Sequence, residues 1–180
     1  MARYIGRYGS KDVSKAVIIG GITPYLLKTT DNPEGIDGTV FQNIQEAVAA
    51  DRYAFFTEFF KNFYNTDIFL GKRISEPALR ASWNVAASAS ATASVACVPT
   101  WHEDFRSDLS KIDVPALVIH GDADRIVPIA AAGLRTAKLI KGARMHEIQD
   151  GPHAVTWTHA EEVNRELLAF LRTSAATRVA

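Results

Sequence analysis

The sequence predicts an α/β fold: a short parallel sheet of about three strands, helices packed on it, and a helical insertion after the first strand. Three observations lead there. The runs Ala16-Val17-Ile18-Ile19, Ala116-Leu117-Val118-Ile119-His120 and Arg144-Met145-His146-Glu147-Ile148 read as strands, and a glycine turn follows each. The first two are continuous and β-branched, which suits parallel strands covered on both faces. Amphipathic helical patterns follow the second and third strands, so residues 112 to 173 read β-α-β-α.

After the first strand, residues 23 to 38 are turn-rich, and Thr30-Asp31-Asn32-Pro33-Glu34-Gly35 is a loop signature. Helical patterns follow at 41–49, 52–64 and 75–90. The second carries seven aromatic residues in the twelve positions 53–64. Aromatics at helical spacing indicate core packing ahead of the wall of an apolar pocket. The Ala- and Ser-rich stretch 86–96 is expected to be a tightly packed small-residue helix, because Val95, Cys97 and the nearby Trp83 and Val85 break its monotony. A helix is expected over 130–140, with Pro128 near its start. Another is expected over 158–171, with Thr158 and Glu161 as a capping box and an apolar stripe at 163, 167, 168, 170 and 171. The chain therefore divides into a helix and strand at 1–22, a helical insertion at 23–110 and a βαβα unit at 111–180.

Composition excludes several classes of function. The chain has 180 residues, with 20 Lys+Arg against 20 Asp+Glu and a formal net charge of zero. Nucleic-acid binding by counterion release requires excess positive charge, and so does a polybasic membrane anchor. The single cysteine, Cys97, excludes an intrachain disulfide and a cysteine-cluster metal site. Its apolar surroundings suggest a buried, inert thiol. Residues 1–8 form no apolar leader, and the longest apolar stretch is broken by Gly20, Gly21, Thr23 and Pro24. A cytoplasmic location is the expectation.

Two polar loops sit just past strand ends: His120-Gly121-Asp122-Ala123-Asp124-Arg125-Ile126-Val127-Pro128 and Asp150-Gly151-Pro152-His153-Ala154. Ligands bind beyond the carboxyl ends of strands in open parallel sheets, so an acid after one strand and a histidine after the next would meet at one rim. A carboxylate that accepts from His Nδ1–H fixes the tautomer and lets Nε2 take a proton from a nucleophile. Asp124 could instead serve only its turn, and Asp122 is read as local turn chemistry. His120 is read as structural, and His102, His146 and His159 as surface or packing residues. A metal site of His120, Asp122, Asp124 and His153 is a rival reading, though it matches no ligand signature.

These stretches resemble the C-terminal part of an α/β-hydrolase of the cofactor-free (non-haem) haloperoxidase and arylesterase branch. The resemblance rests on Lys28 to Gly35, on Asp104-Phe105-Arg106-Ser107-Asp108-Leu109, and on Ile112-Asp113-Val114-Pro115. It continues through the His120 to Pro128 run and Gly151-Pro152-His153 through Ala160, covering nearly the whole chain. It implies that Asp124, in a G-x-x-D-x-x-V-P pattern, is the acid of a Ser-Asp-His triad and that His153 is its histidine. It places Ile126 against the substrate. It implies hydrolysis of small carboxylic esters, with perhydrolysis and halide oxidation as a side activity, and no haem, metal or nicotinamide cofactor.

The family's nucleophile sits in a G-x-S-x-G elbow, and this sequence contains none. Residues 2–9 resemble the helix that follows the elbow, which would put the serine a few residues before Met1, with the oxyanion donors upstream. Ser10 lies in a loop without an elbow pattern. The expectation is a chain that is inactive alone and that is unstable, self-associates, or pairs with a nucleophile-bearing half, through an open edge of the first strand. A non-catalytic, partner-binding role is the rival.

Overall fold

A computed structural model describes residues 1–173. Strands β1 (Ala16–Ile19), β2 (Ala116–Gly121) and β3 (Arg144–Ile148) form one parallel sheet in the order β1-β2-β3. Ala16 pairs with Ala116 through Ile19 with Ile119, and Leu117 pairs with Arg144 through Gly121 with Ile148. The central strand is buried along its whole length, as its unbroken apolar run requires.

Helices cover both faces of the sheet. On one face, Ile5 of α1 (Ala2–Tyr8) packs with Leu109 of α6 (Arg106–Leu109), Ile112, Val114, Ala116 and Ile140. On the other, Leu117 and Ile119 meet Val155 of α8 (Val155–Thr158) and Val163 and Phe170 of α9 (Ala160–Arg172). Helix α7 (Gly133–Leu139) connects β2 to β3.

Residues 20–115 separate β1 from β2. They hold α2 (Gly38–Tyr64), α3 (Thr66–Phe69), α4 (Glu76–Ser88), α5 (Ala91–Cys97), a 3-10 helix (Val98–His102) and α6. Helix α2 joins the two patterns expected at 41–49 and 52–64, and the break between them survives as a kink. Asp51 has non-helical φ −154° and ψ 90° there, and its carboxylate accepts from the Tyr53 and Ala54 amides, acting as an internal N-cap. The aromatic run divides between two tasks. Phe60 and Tyr64 are buried with Phe69, Ile74 and Ala154, whereas Phe55 and Phe59 line a cavity.

Five local expectations need correction. The 86–96 stretch is not one packed helix: α4 ends at Ser88, Ser90 caps α5 by accepting from the Ala93 amide, and neither helix has a buried residue. Cys97 is consequently exposed. The helix expected from 130 starts only at Gly133, because Ala132 takes the non-helical φ −127° and ψ −84°. The Thr158 capping box does not form. Thr158 ends α8 with its hydroxyl donating to the Ala154 carbonyl oxygen and paired with His159 Nδ1, so α9 begins at Ala160. The buried stripe of α9 is Val163 and Phe170 with half-buried Leu167; Leu168 and Leu171 point to solvent, each 49% exposed. Among the described residues no helix is long and apolar enough to cross a membrane.

Candidate active site

The loops that follow β2 and β3 meet at one end of the sheet. The Asp122 amide donates to the Ile148 carbonyl oxygen and the Ala123 amide to that of Gly151, each at 3.1 Å. This contact brings Asp124 and His153 together, 29 residues apart in sequence: His153 Nδ1 lies 2.8 Å from Asp124 Oδ2. The pairing puts the hydrogen on Nδ1 and leaves Nε2 free of the carboxylate.

Asp124 performs the turn role and the histidine role at once. Its Oδ1 accepts from the amides of Ile126 (2.9 Å) and Val127 (2.8 Å), which closes the turn. Its Oδ2 faces His153 and also His120 Nε2, 3.2 Å away. Three hydrogen bonds, from the Ile126 and Val127 amides and from His153, therefore reach a carboxylate whose side chain is fully buried, and His120 Nε2 stands close beside it. Burial pushes this carboxyl upward, but the hydrogen bonds from His120 and His153, the positive charge available at His153, and the Val127 amide outweigh it. The carboxyl is held at about 2.

His153 is one-fifth exposed at its side chain and is braced on two sides. The Phe63 ring meets it edge-on, with centroids 5.0 Å apart. Gly20 lies on its other side just past β1, at a left-handed φ of +55° that favours glycine; a Cβ there would stand in ordinary contact with the imidazole, 3.4 Å from Cε1. The backbone of α2 holds the same loop, since the Ala154 amide donates to the Phe63 carbonyl oxygen at 3.0 Å. Asn65, buried at the C-terminus of α2, donates from Nδ2 to the Ala123 carbonyl oxygen beside the acid.

His153 opens onto a cavity of about 520 Å³. Leu26, Phe41, Ile44, Phe55, Phe59 and Trp101 make much of its apolar wall, and Ile126 is also in the lining. Its charged residues already have partners. Arg125 forks onto Asp67 at 2.7 and 3.0 Å, and Glu58 pairs with Lys61 at 2.7 Å. Such a cavity accepts an uncharged apolar group and presents it to an imidazole nitrogen.

The remaining candidates fall elsewhere. Asp122 is exposed and outside the Asp124–His153 pair. Ser10 is buried against Asp113, to which its hydroxyl donates. His146 pairs with Glu162 and His102 stacks edge-on against Phe41. His159 is buried, and desolvation followed by the nearby Arg73 charge lowers its pKa. Among the described residues, no group of three or more His, Cys, Asp or Glu side chains is placed to hold a metal ion. Sequence reasoning missed the brace of Phe63 and Gly20, and it missed that His120 touches the acid. Only Gly20 carried a signal, as the glycine after a strand.

Comparison with known proteins gives a consistent picture. The model of the alpha/beta hydrolase fold family matches residues 1–160. A Synechocystis protein named "Putative non-heme chloroperoxidase" is 54% identical over 172 residues, covering 96% of this chain and 62% of the relative. The bifunctional esterase/perhydrolase DCH of Acinetobacter calcoaceticus is 32% identical over 177 residues, covering 96% and 63%. The crystal structure of a bromoperoxidase from Bacillus anthracis superposes with a TM-score of 0.90 at 38% identity, covering 96% of this chain and 63% of that one. The chain thus spans 62 to 63% of the length of these relatives.

Proposed function

Because the chain belongs to the alpha/beta hydrolase fold family, we propose that it supplies the acid and the histidine of a Ser-Asp-His triad acting on small carboxylic esters. In this reading Asp124 orients His153 and stabilises its imidazolium. His153 Nε2 takes the serine hydroxyl proton as the oxygen attacks the ester carbonyl, then returns it to the leaving alcohol. Water next attacks the acyl-serine, with His153 again as base. Hydrogen peroxide in place of water releases a peracid, which oxidises halide. The names of the chloroperoxidase and esterase/perhydrolase relatives support that side activity. Ile126 and the apolar wall hold the acyl group, and no cofactor takes part. The division into core residues 1–22, cap 23–110 and core 111–180 belongs to the same reading. Its support is the 2.8 Å contact between a buried carboxylate and an imidazole that opens on an apolar cavity.

The 180 residues contain no G-x-S-x-G elbow, and Ser10 is tied to Asp113. The chain alone therefore lacks a nucleophile and the oxyanion donor that accompanies it, which carry much of the rate enhancement in such enzymes. We expect no serine-dependent turnover from it alone. One observation favours a second reading, action through a partner. β1 pairs with β2 on one side only, so among the described residues its other edge is open to a second copy or to a nucleophile-bearing half.

The experiment compares two proteins: the 180-residue chain, and the same chain fused behind the segment of the Synechocystis relative that precedes its matched stretch. The fusion is expected to hydrolyse p-nitrophenyl acetate and to be labelled by a fluorophosphonate, and the chain alone to do neither. Labelling and turnover by the chain alone would overturn the expectation of inactivity.

A further inference from the structure

We propose that His120 is a positioning residue for Asp124: a buried Nε2–H donor that locks the carboxylate oxygen to which His153 binds. The proposal rests on the triad reading of Asp124 and His153, and it adds a third side chain to that site.

His120 closes the apolar run of β2, and its side chain is wholly buried. Nε2 stands 2.8 Å from the Val127 carbonyl oxygen and 3.2 Å from Asp124 Oδ2. Both neighbours are acceptors, so Nε2 carries a hydrogen; the Val127 carbonyl oxygen accepts it at the shorter distance, and Asp124 Oδ2 lies within reach of the same hydrogen. Nδ1 is buried without a hydrogen-bond partner among the described residues, and Gly133 packs against that side of the ring. A Cβ on residue 133 would lie 2.7 Å from Nδ1, so a side chain there would close the slot the imidazole occupies.

A residue that merely filled this space would be better apolar. A buried nitrogen without a partner costs on the order of 1–3 kcal/mol, which leucine would not incur. The compensating gain lies at Nε2. Asp124 Oδ1 is fixed by two amides of its own turn, whereas among the described residues Oδ2 is hydrogen-bonded to His153, with His120 Nε2 3.2 Å away. When His153 moves during proton transfer, His120 is the donor that keeps Oδ2 in place. It also favours the ionised carboxylate: after burial, the His120 hydrogen bond is the largest influence on the Asp124 carboxyl, and it acts downward.

Nitrogen-15 NMR of the histidine-labelled 180-residue chain tests the tautomer without any substitution. A His120 ring protonated on Nε2 with a bare Nδ1 at neutral pH is expected. A ring protonated on Nδ1 alone would overturn the proposal. Carbon-13 titration of the Asp124 carboxyl tests the donor. Its midpoint should rise by about one pH unit in His120→Leu and stay near the parent value in His120→Gln, whose amide puts a donor close to the Nε2 position. An unmoved midpoint in a folded His120→Leu chain overturns the proposal. If His120→Leu does not fold, the unbranched His120→Met, which also lacks a donor, decides: a midpoint raised by about a unit supports the proposal, and a parental midpoint in the folded variant overturns it. None of these readouts involves ester turnover, so a failure of the triad reading would show separately in the fusion assay.

Discussion

The backbones of Gly121 and Gly151 touch. A Cβ on Gly121 would lie 2.1 Å from the Gly151 carbonyl oxygen, and a Cβ on Gly151 would lie 2.9 Å from Gly121 Cα. Gly121 ends β2 and Gly151 follows β3, so this contact sets the distance between the loop carrying Asp124 and the loop carrying His153. Glycine is required here for close approach and not for φ.

Gly121→Ala should therefore destabilise the chain by about 3 kcal/mol, because backbone must move to admit the methyl group. Gly71 is the control. It has φ +76°, and a Cβ there would have nothing within 4 Å, so Gly71→Ala should cost only the left-handed strain, about 1 kcal/mol. Urea denaturation of both variants measures the difference, and equal losses would contradict the contact.

Acid stability should report on Asp124. Its carboxyl is held at about 2 in the folded protein against an ordinary 3.8. A carboxyl depressed by folding contributes stability that is fully present above about pH 5 and is lost as pH falls through 4 toward 2. The shift corresponds to about 2 kcal/mol. Asp124→Asn should flatten the stability profile between pH 4 and pH 2. An unchanged slope in that variant, measured by urea melts across the window, would mean the carboxylate is not stabilised in this way.

The division of labour along α2 gives a third test. Phe60 is buried in the cap core and Phe55 faces the cavity. Phe60→Ala should cost roughly 3–5 kcal/mol. Phe55→Ala should cost about 1 kcal/mol, since the ring is only half-buried, and should weaken binding of an uncharged apolar ligand such as benzyl alcohol several-fold. Isothermal titration and denaturation together separate the two effects. A Phe55→Ala chain that binds as the parent does would remove this ring from the binding wall.

The strands and the acid–histidine pairing were legible because their signals are local. β-branched runs ending in glycine turns announce parallel strands, and polar residues just beyond them announce a rim. The kink in α2 was legible as a gap in periodicity, and Asp51 supplies the cap that the gap implies. The errors have tertiary causes. The α5 stretch looks like core by composition, yet it lies against α2 at the surface with no residue buried, and Cys97 is exposed. Thr158 has the right spacing for a capping box, but burial directs its hydroxyl to Ala154 and His159. His120 looks like the end of a strand, and only the folded turn shows that its Nε2 reaches Asp124.

The central claim is that Asp124 and His153 handle the proton in an acyl transfer. Its most direct measurement is p-nitrophenyl acetate turnover by the fusion protein bearing His153→Ala, set beside the unsubstituted fusion. The account predicts that kcat falls about 10³-fold or more while the substituted fusion remains folded, because removing any member of a triad leaves only binding and oxyanion stabilisation. A folded His153→Ala fusion that turns over ester at the unsubstituted rate would contradict it.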